Sequence, residues 1–234
     1  DQWKALNDAY RNTPFQFNLE RIVTYANASW GGKLDDWFET MGEMKAALRQ
    51  GRYQDLNLYF VTGVEDYVMG RCTFPTALEN QTTIPGEAPV DYPLRWFFDD
   101  GCLVNNLTIP GPPGPGKWPQ FRQGKTAVHE VGHWLGLHHP WDANDHVYCM
   151  WDDGIPDTPQ QWGPTRGPHE AHVPWDEAKD TCYGSLSSVD GPDNIHNYMD
   201  YSDDAELWLF TPNQTEEMYK TWMTLRTHRK FVKA

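Results

Sequence analysis

The run His129-Glu130-Val131-Gly132-His133-Trp134-Leu135-Gly136-Leu137-His138-His139 has the residue types and spacing of a zinc site that carries its own general base. Histidines four residues apart lie on one helix face about one turn apart, so His129 and His133 can direct their imidazoles at one metal ion. Glu130 stands beside the same point. There its carboxylate can take a proton from a zinc-bound water, whose pKa the metal lowers from about 15.7 toward about 7. Gly136 lets the chain leave the helix through left-handed backbone angles and bring back His139 as a third ligand. Three protein nitrogens leave a fourth position open, which separates a catalytic zinc from a closed structural one. A bare His-Glu-x-x-His arises by chance in many helices. With Gly136 and His139 at their offsets, a single spacing accounts for two ligands, a base, a helix break and a third ligand. His138 falls at the wrong offset and reads as packing. His146, His169, His172, His196 and His228 lack such a frame and read as surface or structural histidines.

The elements that must position this run are legible in outline. Trp3, Leu6 and Tyr10 at helical spacing predict a helix over residues 2–10, and Phe15 to Val23 alternates like a strand. A second helix is expected at about 38–50, stopped by Gly51, followed by a buried strand over 56–62. Strands alternating with helices predict an α/β (α+β) layout with a largely parallel, twisted sheet. Residues 82–120 are rich in Pro and Gly, including Pro110 to Gly116, and read as a long surface loop. Within it Cys102-Leu103-Val104 is expected as a short edge strand beside a cleft, able to hold an extended peptide by backbone pairing. Gly124-Lys125-Thr126 lacks the upstream glycine of a phosphate loop. Residues 140–200 are loop-like. Thr211-Pro212-Asn213-Gln214 then opens a last helix to about His228, with Thr211 as N-cap and Gln214 at the capping-box position.

Composition narrows the class. With 234 residues, 39% hydrophobic and 14% aromatic, the chain can bury a real core. We expect one catalytic domain of two subdomains, 1–139 above and 140–234 below, flanking the zinc cleft. The net charge of −14 argues against a nucleic-acid partner. No apolar run approaches the roughly 18–20 residues that span a bilayer, so no membrane partner is expected. Cys72, Cys102, Cys149 and Cys182 form an even set without zinc-ligand spacing, and we expect disulfides pairing Cys72 with Cys102 and Cys149 with Cys182. Sequons at Asn27, Asn80, Asn106 and Asn213 are glycosylation candidates, and with the cysteines and acidic charge they point to secretion. No signal peptide is seen and the chain opens at Asp1, so it reads as a mature form. Asp152, Asp153 and Asp157 around Gly154, with Thr158, suit calcium, against a reading as turn and cap chemistry.

The zinc run, followed about 60 residues later by Asn197-Tyr198-Met199-Asp200-Tyr201, resembles the metzincin zinc endopeptidases and within them the pappalysin family, in particular its secreted, ulilysin-like microbial members. The likeness extends through Asn18-Leu19-Glu20, Met44 to Arg49, Asp55 to Tyr59, Cys72 to Pro75, Gly124 to Thr126, Asp157-Thr158-Pro159 and Ile195 to Tyr201. It implies a metzincin fold with an irregular lower part ending in a helix. It also implies zinc on His129, His133 and His139, Glu130 as base and acid, and Met199 in a turn beneath the metal. Tyr201 would approach the metal or the oxyanion, with a purely structural tyrosine as the alternative. Many relatives bond a cysteine just past that turn to another in the preceding loop. Here Asp203-Asp204-Ala205-Glu206 stands there, and the loop partner is absent too. Asp203, Asp204 and Glu206 are therefore candidates for lining the S1′ pocket, where they would favour a basic side chain. The Trp- and Pro-rich stretch 160–179 is a second departure.

The expected function is thus a secreted zinc endopeptidase, a monomer acting on protein or peptide substrates. Two alternatives are an inactive metzincin-fold binding protein and a zinc hydrolase of small amides.

Overall fold

The computed structural model describes residues 1–31, 37–62, 68–76, 92–111, 118–141, 149, 153–165, 180–184 and 190–227. The sequon at Asn80, Asp152, His146, His169, His172, His228 and most of stretches 110–116 and 160–179 lie outside the described residues. In chain order the elements are α1 (Gln2–Tyr10), α2 (Ala28–Gly31), α3 (Trp37–Leu48), β1 (Leu58–Val61), β2 (Gly70–Cys72), α4 (Tyr92–Asp99), β3 (Cys102–Asn105), α5 (Lys125–Trp134) and α6 (Pro212–Thr221). Short 3-10 turns and a π-helical turn at Trp222–Arg226 complete them.

The described strands form one sheet in the order β1-β3-β2. β1 and β3 are parallel, with Leu58 opposite Cys102, whereas β2 and β3 are antiparallel, with Gly70 opposite Val104. The sheet is therefore mixed, and the strand expected at its edge is its centre. All four residues of β3 are buried. A run without polar alternation is what a strand covered on both faces requires, and that overrides its setting in a loop-rich stretch. The edge beside α5 is β2, tied to β3 by the Cys72–Cys102 disulfide; Cys149 is bonded to Cys182.

The expected strand over Phe15 to Val23 does not form. Its backbone is engaged by side chains of α1: Phe17 N–H donates to Asn7 Oδ1, and its carbonyl accepts from the Trp3 indole and the Asn7 amide. Phe15 and Phe17 still pack on the core, but Leu19 and Ile22 are 52% and 79% exposed. Alternation alone cannot supply a neighbouring strand.

The main core gathers Leu6 and Tyr10 of α1, Val128, Val131 and Trp134 of α5, Tyr198 and Met199, and Met218 of α6. Residues 127–134 are all buried, so α5 runs through the interior. A second core holds Met41 and Met44 of α3 against Tyr59, Val61 and Leu103 of the sheet. Lys45 fastens that helix by donating to the carbonyls of Asp99 and Gly101, and burial lowers its pKa to about 8.

Candidate active site

Helix α5 ends as its sequence requires. Gly136 sits at φ 102°, Leu137 N–H donates to the Gly132 carbonyl at 3.0 Å, and Gly136 N–H donates to the His133 carbonyl at 2.9 Å. These are the two bonds of a Schellman stop, which needs a residue without Cβ in the left-handed region. A Cβ there would also meet Thr221 Cγ2 at 2.7 Å. The chain then returns, and the three Nε2 atoms of His129, His133 and His139 lie 3.1–3.2 Å apart.

Two of the rings are oriented from behind. His129 Nδ1 is 2.8 Å from the Tyr198 carbonyl and His133 Nδ1 is 2.7 Å from the Leu137 carbonyl. A carbonyl only accepts, so each Nδ1 carries the proton and each Nε2 presents a lone pair to the shared point. Burial lowers the pKa of His133 to about 4 and of His139 to about 3, and takes His129 well below its ordinary value. All three are neutral near pH 7, the form that binds metal. Nitrogens about 3.2 Å apart suit a tetrahedral cation with bonds of about 2.0–2.1 Å. Among the described residues no other group of three acidic, histidine or cysteine side chains converges in this way.

Glu130 is buried, and its Oε2 has no hydrogen-bond partner among the described residues. Burial pushes its carboxyl up to about 8, against the opposing pull of Arg71 and Lys45. A cation beside it acts in the opposite direction and favours the carboxylate. Its room comes from β2: a Cβ on Gly70 would lie 2.5 Å from Glu130 Oε1. Gly70→Ala is expected to displace the carboxylate and cut turnover at least tenfold, because a misplacement of about 1 Å can cost about 10²-fold. Retention of full kcat by that variant would remove Gly70 from the site.

Met199 is fully buried beneath the helix, with its sulfur against Gly132. Its turn is fixed by Asn197, which exchanges two side-chain hydrogen bonds with Gln214 and accepts from Met199 N–H. Gln214 completes the predicted capping box with Thr211. The Tyr201 ring lies 5.3 Å from His129 and 5.0 Å from His139. Trp141, which the sequence reading passed over, stacks on His139 at 4.4 Å. Its only signal was an aromatic residue two positions past the third histidine.

The other expected site residues make contacts of their own. Asp153 accepts from the Thr158 hydroxyl and from Ile155 N–H, while Asp157 accepts from the Thr211 hydroxyl and Asn213 N–H at the start of α6. This is the turn and cap chemistry weighed against calcium. Asp204 is buried and accepts from the Gln123 and Lys125 amides at the start of α5. Glu206 lies 3.9 Å from His196, which stacks on Trp208; Asp203 is buried. Asn27 is exposed, with its side chain capping α2, whereas Asn106 and Asn213 are half-buried.

Burial pushes the Asp204 carboxyl up to about 6, outweighing the two amides and the Lys125 charge. The unfolded value is about 3.9. A raised carboxyl pKa means that this group's contribution is most favourable below about pH 4 and is lost as pH rises through about 6. Asp204→Asn should therefore gain stability relative to the parent between those values in denaturant titrations. A difference that does not change with pH would contradict this.

A buried charge cluster lies behind the C-terminal half of α5. Asp100 pairs with Arg49 at 3.1 Å and Arg226 at 3.2 Å, and accepts from the Trp134 indole and the Thr73 hydroxyl. Arg226 also donates to the Trp134 and Tyr53 carbonyls and covers the Trp134 ring at 3.7 Å. Three distant segments are thus joined to the end of the metal-site helix.

The sequence profile of the pregnancy-associated plasma protein-A family, peptidase family M43, matches residues 120–222. Curated proteins named extracellular metalloprotease from Arthroderma benhamiae and Pyricularia oryzae are 36% and 35% identical to this chain. The matches cover 96% of it and 70% and 66% of the relatives. Among solved structures, Tannerella forsythia mature mirolysin in complex with a cleaved peptide is 27% identical, with a TM-score of 0.51 over 73% of this chain and 53% of its own. Mirolysin with a bound compound gives 26% and 0.55, over 78% of this chain and 60% of its own. The chain thus spans little more than half of the mirolysin chains. No helix among the described residues is long and apolar enough to cross a membrane. Identity at the level of the fungal relatives, sustained across nearly the whole sequence, reaches far beyond the zinc helix, and the chain therefore belongs to the pappalysin family of metalloproteases, peptidase family M43.

Proposed function

We propose that this chain is a secreted endopeptidase that hydrolyses peptide bonds of proteins, with zinc at His129, His133 and His139 and Glu130 as general base and acid. The observation that carries the reading is the convergence of three neutral Nε2 atoms on the helix that also carries buried Glu130, whose Oε2 has no partner among the described residues. When bound there, zinc supplies a Lewis acid that polarises a carbonyl and acidifies water. Glu130 takes the proton of the attacking water and delivers it to the leaving amine. Tyr201, whose ring flanks His129 and His139, donates from its hydroxyl to the oxyanion of the transition state. β2, at the end of the sheet and against Glu130, offers its outer edge to an extended peptide in the cleft between residues 1–139 and 140–234.

The names of the fungal relatives support an extracellular location, and the cleaved peptide on mirolysin supports a peptide substrate. A denatured protein substrate and a panel of small amides, each incubated with and without a chelator, test the reading. Internal cleavage of the protein that stops on chelation and returns with zinc is expected. Hydrolysis confined to the small amides would favour the amidase alternative, and no hydrolysis of either would favour a binding protein.

A further inference from the structure

We propose that Phe74 and His138 form an aromatic shelf that selects a large apolar side chain on the amino-terminal side of the scissile bond. The inference rests on the endopeptidase reading and adds to it a specificity-determining surface. Phe74 follows the edge strand β2 by two residues and is 41% exposed. Its ring stacks on His138 with centroids 4.6 Å apart and planes 20° from parallel, and stands 5.2 Å from the ring of His133. His138 is itself exposed. The misfit residue of the zinc run thereby acquires a role: it does not reach the metal point but supports a ring beside it.

The position of the shelf follows from the path of the edge. Gly70 lies against Glu130, and four residues later Phe74 lies over His133 and His138, so this segment runs from the general base along the metal site. A peptide adding to the outer edge of β2 does so best in the antiparallel sense, the more stable pairing per residue. Such a peptide runs from Phe74 toward Gly70. With its reacting carbonyl near Glu130, the residues before the scissile bond pass Phe74. A stacked pair of flat rings on an exposed surface offers an aromatic or long aliphatic side chain area and offset-stacking geometry, and gives a small or acidic side chain almost nothing.

Cleavage-site profiling on a peptide library, with the parent, Phe74→Ala, Phe74→Leu and His138→Ala, tests this. The parent should favour Phe, Tyr, Leu or Met over Gly at one position before the scissile bond by on the order of tenfold in kcat/KM. Phe74→Ala should bring that ratio to about one, Phe74→Leu should keep the aliphatic but not the aromatic preference, and His138→Ala should weaken both. A parent without preference before the bond, or an equal fall for every peptide in Phe74→Ala, would overturn the shelf. If the parent cleaves no peptide in the library, the endopeptidase reading fails and the shelf with it, whereas cleavage without selectivity removes the shelf alone.

Discussion

Glu130→Gln is expected to lower kcat for peptide hydrolysis by about 10²- to 10⁴-fold, the range associated with removal of a positioned general base. The substitution keeps the shape that Gly70 accommodates and removes only the ability to take a proton. Zinc content should be unchanged, because the three ring nitrogens do not depend on Glu130, and KM should move little. Steady-state kinetics with metal analysis on the same samples measure both. Turnover within threefold of the parent would show that Glu130 is not the base, whatever its place beside the histidines.

The second large effect is on stability and concerns Asp100→Ala. Asp100 is the carboxylate that compensates Arg49 and Arg226, and all three side chains are almost fully removed from water. Removing one partner of such a cluster leaves uncompensated buried charge at a cost of about 3–5 kcal/mol. At 2–4 °C per kcal/mol for a chain of this size, Tm should fall by on the order of 10 °C. The neighbouring pair provides the contrast. Arg95 and Asp99 meet at 3.3 Å on the surface, with 63% of the arginine side chain exposed, so Arg95→Ala should cost under about 1 kcal/mol. A thermal melt in which the two variants differ by less than about 2 °C would contradict the weight given to burial.

The parts of the molecule legible in sequence are those fixed by local spacing. The i and i+4 histidines, the Gly136 stop and the Thr211 capping box each depend on a few adjacent residues, and each is found in place. What was not legible depends on residues far apart. The Arg49–Asp100–Arg226 cluster joins residues separated by 51 and 126 positions, and no local pattern announces that a surface-type residue will be buried. The alternating run at Phe15 had strand chemistry, but side chains of α1 met its backbone first. Cys102-Leu103-Val104 reads as an edge strand because its flanks are loop-like, whereas its unbroken apolar character fits the sheet centre that it occupies. The acidic residues show the same limit. A cluster such as Asp153 and Asp157 looks alike in sequence whether it holds a cation or accepts from nearby hydroxyls and amides, and here both carboxylates accept such bonds. Asp204 reads as an S1′ candidate because it stands where many relatives carry a cysteine past the Met199 turn, and its hydrogen bonds to the start of α5, about 80 residues back, are not visible in that local pattern.

Zinc stoichiometry measured together with cleavage rate tests most directly the proposal that zinc held by the three histidines makes this chain a peptidase. His129, His133 and His139 are each replaced by Ala, and both quantities are read on the same samples at neutral pH. About one zinc per parent chain is expected, with loss of both zinc and cleavage in every variant. A variant that cleaves at the parent rate without bound zinc would contradict it, as would a parent whose cleavage survives complete removal of the metal.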